Sequence, residues 1–93
     1  MKCHWDENKR LQNLVLHQFD FARIERFEWS TAILRPTYPS EHGNRRFKAI
    51  GFLEDNLVAG VFSGLGKEAL SLISLRPASR LERRQYAEAK AYP

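Results

Sequence analysis

The chain contains a single cysteine, Cys3. One thiol excludes an internal disulfide, cannot build a zinc site, and suits a reducing compartment. No apolar run approaches the roughly 20 residues of a membrane span, and no signal-peptide hydrophobic segment is visible. The expected location is therefore the cytoplasm, with no membrane partner. Carboxylates are scattered without a cluster suited to magnesium, and His4 and His42 have no companions at ligand spacing. No metal or other cofactor is indicated. A phosphate-cradling glycine loop is missing too. "GLG" at Gly64 to Gly66 lies between two strand-like runs instead of opening a helix, and reads as a turn. Nor is there a helix-turn-helix with a polar recognition helix, so sequence-specific DNA binding by this chain itself is not expected. Repeats and low-complexity tracts are also absent.

What is present fits one small globular domain spanning residues 1–93. The chain is 43% hydrophobic and 28% charged, and its length leaves room for a modest core whose stability a partner would raise. The formal charge is +4 and unevenly placed. From Arg76 to Pro93, five basic residues face only Glu82 and Glu88, a local excess of +3. Such an excess favours phosphate polymers or an acidic protein partner, and does not choose between them.

Lys2 to Trp5 alternates and precedes Asp6, a good N-cap, so a short strand is expected to lead into a helix over about residues 7–17. Leu11, Leu14 and Val15 form an apolar face of that helix, while Asp6, Lys9, Asn13 and His17 fall within roughly 80° of one another on a different face. Asp20 to Glu28 predicts a second, shorter helix, with Phe19, Phe21, Ile24 and Phe27 available for burial. Thr31 to Arg35 is β-prone, and "PTYPSEHGN" is the most loop-like segment. Three apolar runs follow at close spacing: Arg46 to Leu53, Leu57 to Ser63 and Ala69 to Arg76. Antiparallel hairpins connect them most economically. The closing helix starts at Ser79, whose S-x-x-E spacing to Glu82 makes a capping box. The predicted order is β-α-α-β-β-β-β-α, an α+β fold with a small antiparallel sheet, two N-terminal helices and one C-terminal helix.

The chemistry concentrates in "ISLRPASRLERRQY", Ile73 to Tyr86. Arg76 ends a strand, where the ladder can aim its guanidinium at a phosphate. Arg80 and Arg84 follow on one helical side, and Arg83 and Tyr86 form a neighbouring pair. The plainer reading makes Glu82 a capping carboxylate and Arg84–Glu88 a surface pair. His17 ends the first helix, where the dipole favours its protonated form, and imidazole is the side chain suited to proton transfer near neutrality. A histidine at a helix end is more often a cap.

Three stretches together resemble the BrnT family. "WDENKRLQNLVLHQFDF" at Trp5 to Phe21 resembles its opening W-D-x-x-K-x-x-x-N-x-x-K-H-x-x-x-F, and "RFKAIG" at Arg46 to Gly51 its R-x-x-x-I-G strand. The closing stretch resembles I-S-x-R-x-A-x-x-x-E-R-x-x-Y. The resemblance implies a RelE-like fold and the toxin of a type II toxin–antitoxin module, a ribonuclease that needs no metal and arrests translation. It implies a BrnA-like antitoxin as partner, RNA as substrate and operator DNA reached only through the antitoxin. Assembly would be as a dimer or as a heterotetramer with the antitoxin. The matching polar positions are Trp5, Asp6, Lys9, Asn13, His17, Arg46, Arg76, Glu82, Arg83 and Tyr86. Leu16, Asn44 and Leu75 depart from the pattern, where a lysine, a glutamate and a small residue are usual.

Cleaving RNA without metal requires the ribose 2′-hydroxyl to attack the adjacent phosphate, with a base, an acid and cations around the phosphorus. On this reading the catalytic set is His17, Arg46, Arg76, Glu82 and Tyr86, with Lys9, Arg80 and Arg83 binding RNA. Arg46 and Arg76 are expected to clamp the scissile phosphate. His17 or Glu82 would act as base, and His17 or Tyr86 as acid. The alternative is a weakly active or inactive basic module that mainly docks an antitoxin or RNA.

Overall fold

Asp6 opens the first helix as its sequence position suggests. Its carboxylate accepts the Asn8 N–H at 2.8 Å, and the helix α1 runs over Glu7–His17. Gln18 closes it in the left-handed region, φ 64°, with its N–H on the Leu14 carbonyl. The computed structural model describes residues 2–37, 45–65 and 67–91. Tyr38, Glu41, His42, Asn44 and Gly66 lie outside the described residues. The remaining elements are β1 (Lys2–His4), β2 (Ile33–Pro36), β3 (Arg46–Leu53), β4 (Asn56–Leu65), β5 (Ala69–Pro77) and α2 (Arg80–Ala91).

The second predicted helix is instead a 3₁₀ segment, Phe21–Arg26, capped by Asp20 and followed by a short one over Trp29–Thr31. Burial against the core selects the tighter pitch. Phe21, Ile24 and Phe27 recur every three residues, so three residues per turn align them on one buried line.

The sheet order is β1-β5-β4-β3-β2. The hairpins β3–β4 and β4–β5 are antiparallel as expected, and β2 joins antiparallel to β3. The expectation of a wholly antiparallel sheet is corrected at one edge, because β1 pairs parallel to β5, Cys3 opposite Leu70. Turn logic accounts for strands that follow one another, whereas β1 is separated from β5 by most of the chain. After His4, α1 takes over the same edge. The Asn13 side chain donates to the Leu75 carbonyl at 2.7 Å and accepts the Leu75 N–H at 3.0 Å, standing in for the missing strand.

Register divides the side chains between two faces. Phe47, Ala49, Leu53, Val58, Phe62, Leu72 and Leu75 meet Phe21, Ile24 and Phe27 in the main core. On the opposite face Ile50, Leu57, Ala59 and Ala78 form a smaller cluster with Ile33, Phe52 and Tyr86 of α2. α1 departs most from expectation. Its inward residue is Asn13, while Leu11, Leu14, Val15 and Leu16 are exposed, Val15 by 81%.

Candidate active site

Strand alternation puts Arg46 and Lys48 on the α2 side of β3, and register aligns three rows across that face. The first reads His4, Ser71, Ser63, Arg46; the second Ser74, Val61, Lys48, Arg35; the third Arg76, Ala59, Ile50, Ile33. The third row is apolar between its ends and packs beneath α2. The other two carry Arg46, Lys48 and Arg35, and Arg76 stands at the β5 end of the third.

Glu82 ties these elements together. It sits in the first turn of α2 and is 2% exposed. Its Oε1 accepts from Ser79 N–H at 2.8 Å and Arg76 Nη1 at 2.6 Å. Its Oε2 accepts from Arg76 Nη2 and from Lys48 Nζ, both at 2.8 Å. The Ser79 hydroxyl accepts the Glu82 N–H at 3.2 Å, completing the predicted capping box. Burial alone would raise this carboxyl. Arg76, Lys48 and the Ser79 N–H outweigh burial and hold it well below the usual carboxylate range. The same bond raises the Arg76 guanidinium.

The predicted residues divide accordingly. Arg76 and Glu82 meet in a two-pronged pair, and Tyr86 follows one turn later, edge-on to Phe52 at 5.7 Å between ring centres. Arg46 shares the face, four ladder positions from Arg76 along β4 and two strands away. That is roughly 13 Å along the strands and 10 Å across. Arg80 and Arg83 are exposed on α2. Lys9 and His17 stand apart on α1, at the β5 edge. With Asn13 aimed at Leu75, helical periodicity puts Lys9 and Leu16 on one flank and Arg10 and His17 on the other. Arg10 bonds Asp20 at 3.2 Å at the start of the 3₁₀ segment, so the His17 flank faces the main core side and the Lys9 flank the Arg76 side. No hydrogen bond or ion pair joins His17 to Arg46, Arg76 or Glu82 among the described residues. Sequence reasoning missed Lys48 and Arg35. The available signal was the period of two on β3, where Arg46 and Lys48 precede Ile50 and Phe52 on one side.

The comparisons with known proteins bear on the family and the fold. A family model described as the ribonuclease toxin BrnT of type II toxin–antitoxin systems matches residues 5–82. No curated protein matches the chain. Among solved structures, the 1.1 Å crystal structure of the Brucella abortus ribonuclease toxin BrnT is similar at 40% identity and a TM-score of 0.70. That likeness covers 86% of this chain and 99% of the other. Motif order, the mixed five-stranded sheet and the match over most of the chain lead to one assignment: this protein belongs to the BrnT family of ribonuclease toxins of type II toxin–antitoxin systems.

Proposed function

We propose that this chain cleaves RNA at the α2-side face of its sheet by attack of the ribose 2′-hydroxyl on the neighbouring phosphate, without a metal ion. The observation that carries this is the set of cations from three strands, Arg35, Arg46, Lys48 and Arg76, on one sheet face. Fixed cations there can stabilise the charge that develops on phosphorus, the part a metal would otherwise play. Arg76 keeps its Nε–H and one Nη2–H for substrate after bonding Glu82 and the Pro77 carbonyl. The separation of Arg46 from Arg76 suits different phosphates of one strand better than a joint clamp on one. Arg80 and Arg83 extend the positive surface from α2, and Lys9 borders it from α1.

Glu82 accepts hydrogen bonds from Ser79, Lys48 and both Arg76 nitrogens, which makes it a weak base. Proton transfer then falls to Tyr86, beside Glu82 on α2, and to His17, for substrate that wraps the β5 edge. The wider reading follows from the family: a RelE-like toxin acting in the cytoplasm, arresting translation, and neutralised by a BrnA-like antitoxin that also carries operator binding.

The test is cleavage of a labelled RNA by purified protein in excess EDTA, comparing the parent with Arg76→Ala and His17→Ala. Cleavage that survives EDTA, leaves a 2′,3′-cyclic phosphate and is lost in Arg76→Ala is the expected result. Cleavage that EDTA abolishes removes the metal-free reading. RNA or antitoxin binding with no cleavage, on free RNA or in a translation assay, favours the binding module instead.

A further inference from the structure

Lys48 is a second cation on a carboxylate that Arg76 already pairs in two-pronged fashion. Arg76 already neutralises Glu82, and together with the Ser79 N–H it fills three of the carboxylate's roughly four acceptor positions. Adding Lys48 leaves the trio with a net charge of +1 in a partly buried setting, with the lysine side chain 21% and the arginine 31% exposed. Arg35 stands directly across from Lys48 on β2. Like charges at facing positions of an antiparallel pair cost stability. A shared anion would offset both costs.

The geometry is right for one. Lys48 Nζ and Arg76 Nη2 bond the same Glu82 oxygen at 2.8 Å each, so they lie less than about 6 Å apart. An ammonium has three donors, and Lys48 gives one to Glu82. Two N–H groups remain on Lys48 and two on Arg76. They are held by the strands β3 and β5 and by the rigid start of α2, which fixes them better than a loop could.

We propose that Lys48 is a phosphate-binding residue of this ribonuclease site, and that Glu82 is the positioning carboxylate that holds Lys48 and Arg76 side by side to receive one RNA phosphate. The inference rests on the ribonuclease reading above, and gives that site a residue and a role the sequence did not suggest. Glu82 acts here through its neighbours, taking no proton from the substrate.

The experiment compares the parent, Lys48→Met, Lys48→Arg and Glu82→Gln on a short single-stranded RNA, with thermal melts to check folding. Loss of one charge-assisted contact corresponds to about a tenfold weaker interaction, so KM should rise about tenfold in Lys48→Met and by more than kcat falls. The slope of log KM against log salt should become shallower by about 0.7, the value for one phosphate contact on a single strand. Lys48→Arg should recover most of both. Glu82→Gln should weaken KM and kcat together while leaving the shape of the pH–rate profile intact. A lower melting temperature in Lys48→Met with KM and salt slope unchanged would make Lys48 a structural partner of Glu82 only, overturning the inference. So would loss of the acid limb of the pH–rate profile in Glu82→Gln, which would make Glu82 the base. Should Glu82→Gln not fold, the Lys48 pair decides. If the parent binds RNA without cutting it, the ribonuclease reading fails. The salt slope of binding in Lys48→Met then decides on the phosphate contact alone, and an unchanged slope refutes it.

Discussion

Asn13 shows how much one polar side chain can carry. It is 5% exposed, and its amide serves the Leu75 N–H, the Leu75 carbonyl and the Phe19 carbonyl, the last at 3.0 Å. Removing it takes their side-chain partner from the Leu75 N–H, the Leu75 carbonyl and the Phe19 carbonyl, and each buried group left unpaired costs about 1–3 kcal/mol. Asn13→Ala should therefore lower stability by about 3 kcal/mol in denaturant unfolding. A loss under about 1 kcal/mol would mean that water replaces the amide. Glu82 gives the pH counterpart. Its carboxyl is held below the usual 4.5, so its stabilisation is complete above that value and is lost as pH falls towards the folded-state value. The parent's melting temperature should fall between about pH 5 and pH 3, and Glu82→Gln should fall less steeply over the same window. At neutral pH Glu82→Gln leaves Arg76 and Lys48 without their counter-charge, and a cost of about 3–5 kcal/mol is expected from a broken buried pair. Parallel pH curves for the two proteins would show that Glu82 does not set the acid response.

Elements differ in how tightly their neighbours constrain them. At Gly51 an added Cβ would stand 2.9 Å from Ala32 Cβ and 3.2 Å from Ala32 Cα, where backbone as well as side chain must shift. Gly51→Ala should cost about 1–3 kcal/mol through overpacking of β3 against the chain entering β2. Val15→Ser, on the exposed side of α1, should change stability by less than about 0.5 kcal/mol and raise solubility, read by melting and light scattering. The contrast bears on what the sequence disclosed. The extents of α1 and β3, both hairpins and the Ser79–Glu82 cap were legible because they rest on local signals of period, turn and cap. The 3₁₀ segment kept its burial but not its pitch, since Phe21, Ile24 and Phe27 are compatible with either helix until packing chooses. The parallel pairing of β1 was not legible, because alternation in Lys2–Trp5 gives a face and no partner. α1 inverted the expectation that apolar residues go inward, because the vacant edge of β5 needs an amide more than a leucine. At the site, Arg76 and Glu82 were legible from their motif. Lys48 was hidden inside a strand that read as core, and no hydrogen bond or ion pair among the described residues joins His17 to the cluster.

For the whole molecule, the excess charge of +4 and the cations on one face predict association that weakens with salt. Three or four phosphate contacts on a single strand imply an affinity loss of about 20- to 50-fold between 50 and 200 mM salt. A flat salt dependence, measured by fluorescence anisotropy with a labelled RNA, would show that the face does not bind through phosphates. The parallel pairing of β1 with β5 also bears on biosynthesis. β1 has its partner among residues 69–77, so the hairpins of β3, β4 and β5 can form first and β1 docks afterwards. Arg76, Glu82 and the support they give Lys48 likewise arrive late. A chain made only as far as β4 therefore has neither a finished sheet nor the Arg76–Glu82 pair, and Lys48 waits for β5 and α2 before it gains its carboxylate partner.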